Sequence, residues 1–191
     1  MAARWLRAAQ YPVLSVNGNV AALAAGEVAA LQHALPRLRV EVNLFHRTPG
    51  RAEAIARSLR RAGVVGVLGV HPTAELDGLP SDRARIDAHG IARADLCIVP
   101  LEDGDRALAL RRAGKRVIAI DLNPLSRTAQ VADLPIVDEI GRALPALTRA
   151  VARQHRGDFD GSGRFPRFDA TAALDDALRA IERRLGRARR R

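Results

Sequence analysis

Short apolar runs alternate along this chain with longer amphipathic ones. Val13–Val16, Val40–Leu44, Val64–Leu68, Leu96–Val99 and Val117–Ile120 are brief and rich in Val, Ile and Leu. Runs of that length and composition predict strands buried on both faces. Ile136 and Val137 add a shorter sixth. The intervening stretches have helical spacing. Asn19–Leu35 is Ala-rich and follows a polar turn, and Arg51–Ala62 sets Ala54, Ile55 and Leu59 on one face before Gly63. Asp105–Ala113 stops at Gly114, and a glycine just past the last turn is a common helix terminator. Glu139–Ala152 completes the series, with Pro145 as a point of kinking or division.

This rhythm predicts an α/β fold: a doubly wound, mostly parallel, Rossmann-like sheet with helices on both faces. Leu174, Leu178, Ile181 and Leu185 recur at 4-3-4 spacing within Thr171–Leu185. That spacing predicts an amphipathic C-terminal helix that docks on the core or on a partner chain. Gln154–Asp169 is rich in Gly and charge and reads as a loop. The organisation expected is a nucleotide-binding domain over 1–153, a linker over 154–170, and a C-terminal helix with a basic tail over 171–191 belonging to the same domain.

Composition changes this picture little. A chain of 191 residues, 48% hydrophobic, suits one domain with a substantial core. No apolar run approaches the roughly 20 residues that span a bilayer. The start, MAARWLRAAQYP, has no secretory pattern, so we read a soluble, cytoplasmic protein. Cys97, the only cysteine, excludes an internal disulfide and a multi-cysteine metal site, and its apolar neighbours make it a small buried hydrophobe. The formal charge is +10, but residues 183–191 carry six Arg, and without them it falls to +4. No aromatics interleave with this tail to stack bases, so we read a solvated end rather than a nucleic-acid site.

Chemistry gathers where the strands end, which in doubly wound sheets is where ligands bind. Asn17, Gly18 and Asn19 follow the first strand; Asn43, His46 and Arg47 follow the second. Glu102, Asp103, Asp105 and Arg106 follow the Leu96 strand, and Asp121, Asn123, Ser126, Arg127 and Thr128 follow the Val117 strand. Gly18 allows close backbone approach to a ligand at a helix start. Arg47, Arg83, Arg85 and Arg127 can clamp phosphate or carboxylate. Glu102, Asp103 and Asp105 are hard oxygen donors suited to Mg²⁺, and equally suited to capping a helix. The five His form no close pair or HExxH pattern; His46 alone stands among strand-end polar residues, as a candidate substrate contact. No GxGxxG or Walker sequence is present.

SVNGNVAAL (Ser15–Leu23), EVNLFHRT (Glu41–Thr48), VPLEDGDR (Val99–Arg106) and IDLNPLSRTA (Ile120–Ala129) occur in that order. Together with IVDEI (Ile136–Ile140) and FDATAALDDALRAI (Phe168–Ile181), they resemble the archaeal-type phosphopantothenate synthetases, or 4-phosphopantoate–β-alanine ligases. The resemblance implies an ATP-dependent, cytoplasmic homodimer of coenzyme A biosynthesis that releases AMP and diphosphate. It implies ATP contacts at Asp121, Leu122, Asn123, Arg127, Thr128, Glu139 and Ile140. Under it, Asn17, Gly18, Asn19, Asn43, Arg83 and Arg106 become candidates for the acid. Arg47, Asp103 and Asp105 become candidate catalytic groups, with Mg²⁺ on the two aspartates. Family members carry a helical N-terminal segment before the first strand, and this chain begins about a dozen residues ahead of that strand, at what looks like the end of that helix. His46 stands where the family often has Tyr, and Glu139 where it often has Asn.

A carboxylate is a poor electrophile for an amine, so the expected route is an acyl-adenylate attacked by β-alanine, with the protein positioning and neutralising charge. The alternative is a non-catalytic nucleotide- or acyl-phosphate-binding module of the same fold, inactive for want of the N-terminal segment.

Overall fold

The computed structural model describes residues 1–154 and 163–188. In chain order the elements are α1 (Ala2–Ala8), β1 (Pro12–Val16), α2 (Gly18–Ala34), β2 (Arg39–Val42), α3 (Pro49–Arg61), β3 (Ala74–Glu75), β4 (Arg85–Ile86), β5 (Leu96–Pro100), α4 (Gly104–Arg112), β6 (Arg116–Asp121), α5 (Arg127–Val131), β7 (Leu134–Val137), α6 (Ile140–Ala152) and α7 (Ala170–Ala188). Five strands form one parallel sheet in the order β2-β1-β5-β6-β7, and β3 and β4 make a small antiparallel pair. The order reverses between β1 and β5, which puts the expected ligand crevice outside their carboxyl ends.

Alternation along each strand divides the core in two. Leu14, Val16, Ile98, Ile118 and Ile120 face a cluster with α1, α2, α3 and α6. Val13, Cys97, Val99, Val117 and Ala119 face α4, Ile86 and Ile91 on the other side. Helices therefore cover both faces, as the alternation of runs predicts. Cys97 is fully buried, and burial pushes its thiol up to about 12, so it is no nucleophile. Among the described residues no helix is long and apolar enough to cross a membrane.

Two expectations need correction. Val64–Leu68 is not a ladder strand: only Leu68 bridges β2, through Leu68 N–H to Val40 O (2.9 Å) and Val42 N–H to Leu68 O (2.9 Å). Gly63, Gly66 and Gly69 have φ of +101°, +62° and +75°, and these reversals leave too few extended residues between them for a strand. Second, Pro145 neither divides nor ends α6, which runs unbroken from Ile140 to Ala152. The α5 turn and the β3–β4 pair have too few residues to leave a periodic signal in the sequence.

Residues 155–162 of the expected 154–170 linker lie outside those described, as do residues 189–191 of the tail. The C-terminal helix forms as expected and lies against β7 and α5. Its packing is shallow: no residue of α7 is buried, and Ile181 and Leu185 are exposed.

Gly69 marks where the chain crosses tightly over β2. A Cβ there would sit 2.4 Å from Val42 O, at a φ that L-residues rarely adopt. Gly69→Ala is expected to lower unfolding stability by about 2 kcal/mol or more, from strain and displaced backbone. Urea titration measures this, and a midpoint equal to the parent's would refute it.

Candidate functional site

Each polar cluster at the carboxyl edge includes a residue that starts a helix. Asn17 Oδ1 accepts from Val20 N–H (3.0 Å) at α2, Thr48 Oγ1 from Arg51 N–H (3.2 Å) at α3, and Asp103 Oδ1 from Arg106 N–H (2.9 Å) at α4. Ser126 Oγ accepts from Ala129 N–H (3.1 Å) at α5, and Glu139 Oε1 from Gly141 N–H (2.8 Å) at α6. These side chains satisfy otherwise unpartnered helix N–H groups. They also bring the positive ends of the helix dipoles to one edge of the sheet. Asn17 spans the crevice as well, its Nδ2 donating to Leu101 O at 2.9 Å.

The loop after β6 is ordered by its own side chains. Asp121 accepts from Asn123 N–H (2.9 Å) and from Ser126 Oγ–H (2.7 Å), and Asn123 Oδ1 accepts from Leu125 N–H (2.9 Å). Thr128 Oγ–H donates to Glu102 O at 2.6 Å, tying this loop to the end of β5. Arg127 pairs with Asp105 (2.8 Å), and both are well exposed. Its aliphatic stem lies across Gly104, where an added Cβ would meet Arg127 Cγ at 2.4 Å. Leu122 and Leu125 present apolar side chains to solvent. The loop is thus shaped in advance, with a guanidinium at its rim.

Beside it lies a buried polar network. Arg106 is wholly buried and donates from Nη1 to Ser15 Oγ (2.8 Å) and to Glu102 Oε2 (2.7 Å). Glu102 Oε1 faces Arg83 Nη1 at 2.9 Å, and Arg83 also reaches Asp103. The Arg83 guanidinium lies over the Phe45 ring, 4.8 Å from its centroid, and His46 meets that ring edge-on. Asn43 Nδ2 donates to Arg85 O (3.1 Å), and Arg47 donates to Val42 O (3.1 Å) and Val70 O (3.3 Å). Five buried polar atoms here have no hydrogen-bond partner among the described residues: Asn43 Oδ1, Arg47 Nε, Arg106 Nε and Nη2, and Arg83 Nη1, whose contacts with Glu102 and Asp103 are ion pairs. Buried donors are rarely left unmet, and guanidinium N–H groups are suited to anions. Burial, reinforced by Arg85 nearby, holds the Arg47 guanidinium below its ordinary pKa.

Behind the network sits Glu41, a wholly buried carboxylate on β2 beside Ser15 of β1. It accepts from Asp87 N–H (3.1 Å) and Ile91 N–H (2.6 Å) and so pins the 87–91 segment to the sheet. Burial raises it to about 7 despite those two bonds. Sequence reasoning missed Glu41 and Ser15. The signal for Glu41 was present, an acid inside the apolar run Val40–Leu44, where a buried charge needs dedicated partners.

Residues 1–184 match the phosphopantothenate/pantothenate synthetase family. The chain belongs to that family. It is 46% identical over 181 residues to a protein of Thermococcus onnurineus named 4-phosphopantoate–beta-alanine ligase, covering 93% of this chain and 68% of that one. It is 47% identical over 185 residues to a protein of the same name from Methanospirillum hungatei, covering 97% and 74% respectively. A third, from Thermococcus kodakarensis, is 44% identical over 183 residues, with 94% and 69% covered.

Within this synthetase, the residues singled out from sequence divide by surroundings. Asp121, Asn123, Arg127 and Thr128 share one ordered loop, and Asn43, Arg47, Arg83 and Arg106 share the neighbouring polar network. Asn17 and Gly18 begin α2 between them, and Asn19 on its first turn is exposed. Ile140 is 1% exposed, side chain and backbone together. Asp103 and Asp105 are each engaged by an arginine, and the described residues include no group of three or more His, Cys, Asp or Glu placed to hold a metal ion. A protein-built magnesium cage therefore does not fit here.

Proposed function

We propose that this chain is a 4-phosphopantoate–β-alanine ligase, joining the two substrates at the expense of ATP and releasing AMP and diphosphate in coenzyme A synthesis. The observation that carries this reading is the similarity to proteins of that name, 46–47% identical over more than nine-tenths of the chain. Adjacent to each other, the ordered β6 loop and the guanidinium network supply what such a reaction needs, a seat for a nucleotide beside a seat for an acid.

In this reading Asp121, Leu122, Asn123, Arg127 and Thr128 hold the nucleotide, with Glu139 and Ile140 from the neighbouring β7 loop. The acid lies toward β1 and β2, against Asn17, Gly18, Asn19, Asn43, Arg83 and Arg106, with Arg47 at the far end. Its carboxylate attacks the α-phosphorus, the bond to diphosphate breaks, and the β-alanine amine then displaces AMP. Arginines fixed by carbonyl and carboxylate partners neutralise charge without reorganising during the step. Mg²⁺ enters as an ion carried on the triphosphate, which needs only one or two protein carboxylates; Asp105, exposed at the rim, is the candidate, with Asp103 occupied by its cap and by Arg83. A homodimer belongs to the same proposal, with the exposed Ile181 and Leu185 of α7 available to a second copy.

Incubation with ATP, 4-phosphopantoate and β-alanine is expected to yield AMP and phosphopantothenate in equal amounts. With ¹⁸O in the acid's carboxylate, label is expected in AMP. Unlabelled AMP alongside product would exclude the adenylate, and nucleotide binding without product would favour the non-catalytic module.

A further inference from the structure

The two seats of that ligase reading meet at one short turn, Leu101–Gly104, between β5 and α4. Leu101 has a φ of +51° and is the only non-glycine residue with positive φ among the described residues. A bulky L-residue is strained there, and such strain persists only where surrounding bonds enforce it. Leu101 N–H donates to Ile120 O (3.0 Å) and Leu101 O accepts from Asn17 Nδ2 (2.9 Å), so the ends of β6 and β1 hold it from both sides. Past that reversal Glu102 turns inward, its side chain 2% exposed. It then bonds in two directions. Its carbonyl accepts from Thr128 Oγ–H (2.6 Å), on the loop proposed for the nucleotide. Its carboxylate pairs with Arg83 (2.9 Å) and accepts from Arg106 Nη1 (2.7 Å), in the network proposed for the acid. Asp103 caps α4 and pairs with Arg83, and the Arg127 stem lies so close over Gly104 that a Cβ has no room. Glu102, Arg106 and Thr128 are all buried. The Arg127–Asp105 pair spans the same two elements in solvent, where an ion pair transmits little.

Buried, hydrogen-bonded groups carry coupling between sites when they have little freedom to yield. The Thr128 hydroxyl has one proton, and Glu102 O receives it. A nucleotide that fixes the β6 loop therefore fixes the Glu102 carbonyl. With Leu101 pinned on both sides, the Glu102 carboxylate is fixed with it, and so are the two guanidiniums that the carboxylate holds. We propose, resting on the ligase reading, that Glu102 is a positioning residue that couples the two seats. Nucleotide on the β6 loop sets Arg83 and Arg106 for the acid, and acid on those arginines sets the loop for the nucleotide. By linkage the two effects are equal in size. Carboxylate and α-phosphorus are then aligned only when both ligands are present, which is when alignment serves the reaction.

Thr128→Val tests this, because it keeps the shape of a buried side chain and removes the proton that reaches Glu102. Calorimetric titration with 4-phosphopantoate is run with and without α,β-methylene-ATP, which cannot release diphosphate. Thr128 also lines the nucleotide seat, so the analogue is supplied to saturation. In the parent the analogue is expected to tighten acid binding about fivefold or more. In Thr128→Val the acid alone should bind within about twofold of the parent while the gain disappears, and Thr128→Ser, which keeps the hydroxyl, should retain it. A residue that only supports the fold would weaken acid binding equally with and without nucleotide, leaving the ratio unchanged. Melting curves verify folding, and Thr128→Ala carries the same comparison if the valine variant does not fold. A parent without the gain, a valine variant that keeps it or a serine variant that loses it overturns the coupling. Coupled binding in a parent that forms no AMP and phosphopantothenate sustains the coupling and defeats the ligase reading. Product formed by a parent whose two ligands bind independently does the reverse, and a parent that binds no 4-phosphopantoate overturns both.

Discussion

Replacing Arg106 by Met is expected to destabilise the protein by about 3 kcal/mol or more, because it strands a buried carboxylate. The Glu102 side chain is 2% exposed, and its Oε2 depends on Arg106 Nη1 at 2.7 Å. Arg83 remains on the other oxygen, which keeps the cost from rising further. Ser15, 2% exposed on β1, loses its partner too. For a domain of this size, a loss of that order lowers the melting temperature by roughly 6–12 °C. Activity should fall as well, since Arg106 supplies two of the unpartnered N–H groups assigned to the acid. The double variant Glu102→Gln/Arg106→Met should recover part of the stability but not the activity, because removing both charges abolishes the mismatch while leaving the acid unmet. A single variant within 1 kcal/mol of the parent in urea would show that the pair is not buried as described.

The second large effect is a pH dependence of stability centred on Glu41. In the fold this carboxyl sits near pKa 7, against an ordinary value of 4.5, chiefly because burial disfavours its charge. The bonds from the Ile91 and Asp87 amides and the field of Arg106 oppose that shift without cancelling it, while Asp87 adds to it. The native state therefore keeps a proton that the unfolded chain releases between these two values. Stability from this group is complete below about pH 4.5 and is lost as pH rises through 7. The shift corresponds to roughly 3 kcal/mol of linked stability. The measurement is urea unfolding of the parent and of Glu41→Gln at several pH values from 4.5 to 8.5. The difference between them should grow in the variant's favour as pH rises, and a pH-independent difference would overturn the assignment. Space at this site is tight, since a Cβ on Gly90 would meet Glu41 Oε2 at 2.0 Å; any larger replacement of Gly90 should release the 87–91 segment.

Much of the architecture was legible in residue order because its causes are local. Strand runs such as Leu96–Val99 and Val117–Ile120 bury both faces and so are apolar throughout, and helices such as Arg51–Ala62 end where a glycine reverses the chain. Val64–Leu68 misled for the same reason. Its apolar residues resemble a strand, but the flanking glycines bend the backbone away after one bridge. The candidate site was legible to the extent that its polar residues stand at strand ends, against the apolar runs before them. Asp103 shows the ambiguity in that signal: the residue that looked like a metal donor caps α4 and meets Arg83, and the pattern of residue types is the same for either role.

By itself the sequence determined the two periodicities, hence a parallel sheet wrapped by helices, and it placed Asn17, Arg47 and Asp121 at carboxyl ends. It also carried the four motifs by which the chain resembles the synthetases. Only the tertiary structure decided which polar groups complete one another. Ser15 and Arg106 are 91 positions apart and Glu41 and Ile91 are 50 apart, yet each pair is hydrogen bonded in the interior. Periodicity reports how one segment meets its neighbours along the chain. The partner of a buried charge is chosen by strand order and by which loops cross the sheet's edge, and those are properties of the packed molecule.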